Sequence, residues 1–217
     1  MLKVENTEVF GWEAAIRGMR NPMNSWHLSD STMSVSAIEE GWDWLGEKDL
    51  RLMQNLSKAG DDHGKFLRMI TVTLDITAPL YWWKEFDTYK VGTVANSCST
   101  MHKIQAKEFT LDDFSHEHLI KGENGYKYEG SYWVLNNIVT HLNKYRELFI
   151  ETKDKTYWWQ MIQLLPSSYN QKRTVQLNYQ VLKTMYFARR NHKLDEWHTL
   201  CEWMESLPCF KEICIQE

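Results

Sequence analysis

The clearest repeating pattern in the chain lies between residues 70 and 77, where apolar and polar side chains alternate. The apolar positions are Ile70, Val72, Leu74 and Ile76, and a threonine or an aspartate follows each of them. Successive side chains of a strand point to opposite faces, so this period of two predicts a strand with one buried face. A less regular stretch, 172–178, is compatible with a second strand.

Elsewhere the apolar residues recur every three or four positions, which is typical of helices. The predicted helices are 12–20, 47–59, a helix begun by Pro79 that ends before Gly92, a long helix from Ser131 through Tyr145, 154–164, 179–190 and 193–206. The pattern predicts an ordered segment of irregular structure at 22–46. At 105–130 it predicts a short helix followed by an irregular segment on the surface. The sum is one α+β domain, 1–217, dominated by helices.

Charge and composition narrow the function classes. The chain has 25 Lys+Arg against 29 Asp+Glu and a net charge of -4, so nothing favours binding to a nucleic-acid backbone. No apolar run approaches the roughly 20 residues that span a bilayer, and the N-terminus lacks the apolar core of a secretory signal. The four cysteines form no CxxC pair. We therefore expect reduced thiols, a cytoplasmic protein, and no nucleic-acid or membrane partner.

The predicted strand is followed at once by an aromatic helix and a loop of small polar residues. The helix carries Trp82, Trp83 and Phe86, and the loop reads Asn96-Ser97-Cys98-Ser99-Thr100. Rigid elements that hold a polar loop in this way often form a ligand cradle. The aromatic side chains, with Tyr89, are either core residues or the lining of a ligand site, and both interpretations stay open. Two charges inside the helix, Lys84 and Glu85, favour a site.

The segment from Thr88 to Met101 resembles the RHRxxSxNExSxRY signature of the flavin-dependent thymidylate synthases, which follows an alanine-proline and an aromatic helix. A second stretch is similar to the same family in order and spacing: Leu165-Pro166, Lys172-Arg173, Asn178, Leu182, Arg189, His192 and Trp197. His63 stands where the family has a histidine that contacts flavin. The resemblance covers about 46–104 and 160–200.

The resemblance implies a helix-rich α+β fold with a small antiparallel sheet and a homotetramer that binds FAD at subunit interfaces. It also implies a role in nucleotide biosynthesis as a methyltransferase, in which deoxyuridine monophosphate (dUMP) stacks on the flavin and becomes dTMP by reductive methylation. The co-substrates would be methylene-tetrahydrofolate as carbon donor and NADPH as reductant.

Site residues follow from the resemblance position by position. Arg189 matches the arginine that polarises the pyrimidine and is the catalytic candidate. Substrate binding is expected at Lys84, Glu85, Lys90, Thr93 and Arg189. Cofactor binding is expected at His63, Tyr89, Lys90, Asn96, Asn178 and His192. The histidine spacing suggests no metal site.

Several signature positions differ from the family. Thr88 and Thr100 replace two arginines, and each charge-assisted hydrogen bond lost is worth about 1.5–3 kcal/mol. Tyr89 replaces a histidine, and Ala95 an asparagine. Glu85 replaces a glutamine, and a carboxylate repels a nucleotide phosphate at short range. Either the ligand differs from dUMP or it is held in another way.

Three functions therefore stay open, and whether the chain is an enzyme is among the open points. The first is a thymidylate-synthase-like flavoenzyme acting on a pyrimidine deoxynucleotide. The second is a nucleotide- or flavin-binding protein of the same fold without that activity, and the third is a flavoenzyme that transfers another group or uses another base. Cys98 is a candidate nucleophile or a small structural thiol. The basic run 189–193 is either an anion site or the cationic end of a helix.

Overall fold

The computed structural model describes residues 1–32, 44–122 and 130–216. Within them the strands are β1 (Lys3–Phe10), β2 (Thr71–Pro79), β3 (Val94–Ser97) and β4 (Asn170–Asn178). The helices are α1 (Trp12–Arg20), α2 (Glu47–Lys58), α3 (Leu80–Phe86), α4 (Ser131–Thr152), α5 (Lys155–Leu164), α6 (Tyr179–Arg189), α7 (Asp195–Ser206) and α8 (Phe210–Cys214). Short 3₁₀ turns occupy Asn21–Met23, Trp26–Leu28, Gly64–Arg68 and Leu111–Asp113.

The four strands form one small antiparallel sheet in the order β1-β2-β4-β3. Strand β2 alternates as predicted, with Val72, Leu74, Ile76 and Ala78 buried. In the strand order given above, β2 and β4 are the central strands, and β1 and β3 are the edge strands. The predicted α+β class, helix-rich with a small antiparallel sheet, is confirmed.

The chain divides into two compact units. Unit 1 comprises Met1–Lys3, Ile76–Thr88 and Asn96–Arg173, and unit 2 comprises Val4–Asp75, Tyr89–Ala95 and Thr174–Glu217. The single domain 1–217 expected from the sequence stays a prediction.

Unit 1 is built around the pairing of α4 with α5. One face of each helix meets a cluster of buried residues: Ile104, Phe109, Phe114, Leu135, Val139, Leu142 and Met161. Helix α3 begins where Pro79 leaves β2, and its first amide groups find partners outside the helix. Leu80 N donates to Tyr169 O and Tyr81 N to Ser167 O, both at 3.0 Å. These bonds satisfy donors that a helix start leaves unpaired, and they fix α3 to the chain that enters β4.

Unit 2 has an aromatic centre. Trp12 of α1 packs edge-on against Trp44 and Tyr179, and Tyr179 packs against Phe210. Gly11 begins α1 with a φ of 91°, and a Cβ there would lie 2.0 Å from Met69 O. Only glycine fits this junction between β1 and α1.

A buried ion pair also holds unit 2 together. The Arg20 guanidinium contacts Asp49 Oδ1 at 2.6 Å, and the other carboxylate oxygen accepts from Ser29 Oγ at 2.6 Å and Ser31 Oγ at 2.7 Å. The two charged side chains are 5% and 0% exposed. The pair therefore ties the end of α1 and the chain up to residue 31 to α2.

Most sequence-based element predictions are confirmed, including 12–20, 47–59, 154–164 and the strand near 172–178. The pattern missed β1 and α8, and it treated β3 as a loop. The predicted short helix within 105–130 is only a 3₁₀ turn in the part of that stretch that the structure describes. The predictions for 33–43 and 123–129 lie outside the described residues.

In the aromatic helix α3, Trp82, Trp83 and Phe86 are all buried. They pack on one another with ring centroids about 5 Å apart. The core interpretation therefore holds for these three side chains. Among the described residues, no helix combines the length and apolar character needed to cross a membrane.

Candidate functional site

A cavity of about 300 Å³ lies in unit 1. Its walls come from four separate stretches of sequence: Thr77 of β2, residues 98–100 after β3, Lys107 with Asp112 and Asp113, and residues 169–172 at the start of β4. The small polar loop that the sequence marked as part of a cradle is therefore one wall of this cavity.

The lining carries charged side chains of both signs. Lys107 and Lys172 contribute two cations, and Asp112 and Asp113 contribute two carboxylates. Lys107 forms an ion pair with Asp113. A ligand that enters the cavity therefore meets donors and acceptors together.

Asn170 lines the cavity, and its side-chain oxygen is held by a hydrogen bond. Its Oδ1 accepts from Ser115 Oγ at 2.8 Å, and the Met1 ammonium donates to the same Ser115 hydroxyl at 2.6 Å. The amide nitrogen Nδ2 of Asn170 is buried and has no hydrogen-bond partner among the described residues. An unpaired buried donor costs about 1–3 kcal/mol.

The loop wall is held by hydrogen bonds to β4. Cys98 N donates to Lys172 O at 2.9 Å, and Gln171 Nε2 donates to Cys98 O at 2.8 Å. Ser99 Oγ accepts from the backbone N–H groups of Met101 and His102 at 3.2 and 3.0 Å. Both backbone groups of Cys98 are thus fixed, and the loop is a firm wall.

Arg173 extends this bracing to the end of α3. Its Nε donates to Gln171 Oε1 at 3.0 Å and its Nη1 to Asp87 Oδ1 at 2.7 Å. The guanidinium lies 4.1 Å from the centroid of the Trp83 ring, within the range of a cation–π contact. Arg173 therefore supports the side chain that holds Cys98.

Tyr169 contributes a neutral hydroxyl to the lining. Burial, followed by the neighbouring Asp113 and Cys98, raises the pKa of Tyr169. The phenol therefore stays protonated at neutral pH and keeps its ability to donate.

The cavity is equipped for binding and has no evident nucleophile–base pair. Cys98 is exposed and free, and none of the described residues lining the cavity is a histidine. Within the described ranges no group of three or more His, Cys, Asp and Glu residues could hold a metal ion. The arrangement fits a small polar ligand with acceptor oxygens, such as a phosphate ester.

Three of the residues named from the sequence lie together in unit 2. Arg189 Nε donates to Tyr89 Oη at 2.9 Å, and its guanidinium lies 4.8 Å from the centroid of the Trp197 ring. His192 packs against the same ring, with 6.2 Å between centroids. Trp197 is fully buried, so it is the common support of Tyr89, Arg189 and His192.

Two more of the predicted residues flank Gly92 in unit 2. Asn178 caps α6, because its Oδ1 accepts from Val181 N at 3.1 Å. A Cβ on Gly92 would lie 3.1 Å from Asn178 Nδ2, so the Gly92 turn passes close to that amide. The Thr93 hydroxyl is buried and has no partner among the described residues.

The remaining predicted residues do not belong to these groups. His63 and Lys90 of unit 2 are exposed. In unit 1, Lys84 and Asn96 are exposed and Glu85 is half-buried. The roles of all the site residues named from the sequence stay predictions.

Sequence reasoning did not select the polar side chains of the cavity: Lys107, Asp113, Asn170 and Lys172. The only signal present was the Lys172-Arg173 pair in the second stretch of family resemblance. Lys107 and Asn170 come from segments more than 60 positions apart, and no local pattern connects them.

Comparison with solved structures gives the fold. The chain is similar to two crystal structures of the flavin-dependent thymidylate synthase ThyX from Helicobacter pylori with FAD and dUMP. Their TM-scores are 0.69 and 0.70, each at 16% identity, covering 98% and 99% of this chain and 97% of those chains. It is also similar to the UMP/dUMP methylase PolB from Streptomyces cacaoi bound with 5-Br dUMP, with a TM-score of 0.56, 17% identity and coverage of 95% and 89%.

No family model matches the chain, and no curated protein matches it by sequence. At these identities the likeness establishes the fold. The predicted flavin-dependent thymidylate synthase-like fold is thus confirmed.

Proposed function

We propose that this chain is a flavin-dependent thymidylate synthase-like enzyme that binds FAD and methylates a pyrimidine deoxynucleotide, as in the conversion of dUMP to dTMP. The observation that carries the proposal is the extent of the likeness: 98–99% of the chain matches a fold that binds FAD and dUMP in ThyX. The signature segment, which follows the aromatic helix and contains the polar loop, is consistent with this proposal.

The polar cavity of unit 1 supplies groups suited to the nucleotide. Lys172 can donate to phosphate oxygens, and Ser99 and Thr100 add hydroxyl groups. Charge-assisted hydrogen bonds of this kind are the strong ones in phosphate recognition. From the family resemblance we also propose Lys84, Glu85, Lys90, Thr93 and Arg189 as substrate-binding residues.

The residues proposed for FAD fit such a cofactor in part. His63, Lys90 and Asn96 are exposed and available to a diphosphate or a ribose. Tyr89 and Asn178 already accept hydrogen bonds within unit 2, from Arg189 and Val181 N. They would contribute their remaining polar groups, and His192 its ring. When bound and reduced, a flavin supplies a hydride equivalent.

Arg189 is the residue of this chain proposed to act on the pyrimidine. Its guanidinium is positioned by Tyr89 and Trp197, and a planar cation of this kind polarises a carbonyl that it hydrogen-bonds. We further propose methylene-tetrahydrofolate as carbon donor and NADPH as reductant. A cytoplasmic location fits the four cysteines, which are all free thiols.

Binding of FAD is the first test. The purified chain, with FAD added and the excess removed, should retain the visible absorbance of a bound flavin and give a calorimetric binding isotherm. A colourless protein that gives no isotherm would remove the enzyme proposal. Formation of dTMP from dUMP, with methylene-tetrahydrofolate and NADPH present, then tests the reaction itself.

The second candidate is a nucleotide- or flavin-binding protein of the same fold without turnover. The observation that favours it is the charge of the cavity, where two aspartates offset two lysines. Glu85 adds a carboxylate to α3 in the same unit. Binding of FAD or dUMP without any dTMP formation would support this second function.

A further inference from the structure

Lys107 and Asp113 form an ion pair in the wall of the cavity. The two side chains differ in how far they can move. The Lys107 side chain is 69% exposed, and that of Asp113 only 12%. A lysine ammonium is carried on four flexible methylene groups. Lys107 can therefore swing toward a ligand, whereas Asp113 is confined.

The carboxylate of Asp113 is held by the backbone. Its Oδ2 accepts from Thr110 N at 2.9 Å and from Thr110 Oγ1 at 3.2 Å. These bonds make a capping box at the start of the 3₁₀ turn Leu111–Asp113. The other oxygen, Oδ1, is the one that contacts Lys107. A fixed negative charge thus stays in the cavity wall when the lysine moves.

Asp112 lies next to Asp113 and carries the same charge, but its side chain differs in exposure and in contacts. It lines the same cavity, is exposed, and forms neither an ion pair nor a hydrogen bond with the residues that the structure describes. Removing its charge changes the electrostatics of the cavity without releasing a lysine. The chain therefore contains a matched control for Asp113.

We infer that Asp113 is a resident anion on Lys107, which the phosphate of an incoming nucleotide must displace, and that it thereby sets how strongly the cavity discriminates between a nucleotide and an uncharged nucleoside. The inference rests on the proposed function for the identity of the nucleotide, since dUMP is the ligand it names. Asp113 acts in two ways: it occupies the Lys107 ammonium, and it repels a dianion.

The test compares the wild-type chain with Asp113→Asn, which removes the charge and keeps an oxygen for Thr110 N. Three probes are titrated: dUMP, deoxyuridine and inorganic phosphate, by calorimetry and by phosphorus NMR. Asp113→Asn should bind dUMP and phosphate about tenfold more tightly, equivalent to about 1.4 kcal/mol. The affinity for deoxyuridine should not change.

Two further variants make the result specific to the ion pair. Asp112→Asn should strengthen phosphate binding clearly less than Asp113→Asn, because no lysine is released. Adding Lys107→Gln to Asp113→Asn should remove most of the gain, because the gain comes from the released lysine. Melting temperatures identify folded variants, and Asp113→Ser is a second way to remove the charge if the asparagine variant does not fold.

The possible outcomes test the role of Asp113 separately from the proposed function. Equal gains in Asp112→Asn and Asp113→Asn, or an equal gain for deoxyuridine, would overturn the resident-anion role. If dUMP binds the wild-type chain and Asp113→Asn makes no difference, the inference fails and the proposed function stands. If phosphate binds more tightly to Asp113→Asn while neither pyrimidine compound binds any variant, the inference stands and the proposed function fails.

Discussion

Glu85 contributes a carboxylate to the residues proposed for substrate binding. It is half-buried in α3 of unit 1, and it replaces a glutamine of the family that the chain resembles. We predict that Glu85→Gln strengthens the binding of dUMP, because an acceptor-only carboxylate becomes a neutral group that can also donate. Calorimetric titration measures this, with Glu151→Gln, an exposed change at the end of α4, as the control. Weaker binding in Glu85→Gln would mean that the carboxylate reads an amino group on another base, with cytosine the first to try.

Alanine variants of Lys90 and Arg189 distinguish the loss of a charge that binds the ligand from the loss of contacts that stabilise the fold. Lys90→Ala should weaken dUMP binding roughly tenfold and leave the melting temperature unchanged, since Lys90 is exposed. Arg189→Ala should weaken binding at least as much and also lower the melting temperature, because the contacts with Tyr89 and Trp197 disappear. Titrations and thermal melts of both variants are the measurement. Unchanged affinity in both would show that neither cation binds the nucleotide.

At the residue scale the sequence could supply candidates but not their partners. Tyr89 and Arg189 were each expected in the site, yet the hydrogen bond between them joins positions 100 apart. The Asn170 oxygen accepts from Ser115, which lies 55 positions away. Such pairings arise from the packing of distant segments, and no spacing in the sequence encodes them.

At the scale of elements, prediction worked best for long elements with one buried face, and it missed the exposed edge strands and the short helix α8. Strand β2 alternates between buried and half-buried positions, and α1 has Trp12, Ala15, Ile16 and Met19 on its buried side. Both produce a strong period in the sequence. Strand β3 is exposed at all four positions, and β1 is mostly exposed. These two edge strands are held by backbone hydrogen bonds, which leave no apolar pattern to read.

The ion pair that joins α1 to α2 should make the stability of the chain depend on pH. Burial, the largest single influence, acts to raise the pKa of Asp49, but hydrogen bonds from Ser29, Ser31 and Arg20 and the Arg20 charge together lower it. A lowered pKa means that the carboxylate stabilises the fold above the usual aspartate range. This contribution is lost as the pH falls through the folded-state pKa.

We predict that Asp49→Asn lowers the free energy of unfolding by about 3–5 kcal/mol at neutral pH, because it leaves a buried arginine without its counter-charge. Urea unfolding at neutral and acidic pH measures the loss, which should shrink as the pH falls. Asp61 is exposed and accepts a hydrogen bond from Gln180. The variant Asp61→Asn should lower the free energy of unfolding far less than Asp49→Asn. A loss for Asp49→Asn that is the same at every pH would contradict the assignment.

At the scale of the whole molecule, the fold was predictable although the signature is largely replaced. The family resemblance over about 46–104 and 160–200 lies in order and spacing rather than in identical residues, and the fold of ThyX is matched at only 16% identity. A fold depends on burial patterns that tolerate many substitutions. A ligand site depends on a few polar groups, and these are the positions that differ here.

The last prediction is that the chain forms a homotetramer. Helices α4 and α5 of unit 1 expose large apolar side chains: Trp133, Val134, Ile150, Trp159 and Leu164. Stable subunit interfaces are enriched in such residues and bury on the order of 2,000 Å² or more. With the tetramer that the family resemblance implies, light scattering should give about four times the chain mass of 25.9 kDa. Trp159→Lys should reduce this mass, because a charge would be buried in the interface, whereas Trp26→Lys, which changes an exposed tryptophan of unit 2, should not. A wild-type mass of one chain at micromolar concentration, or equal effects of the two changes, would contradict an interface on these helices.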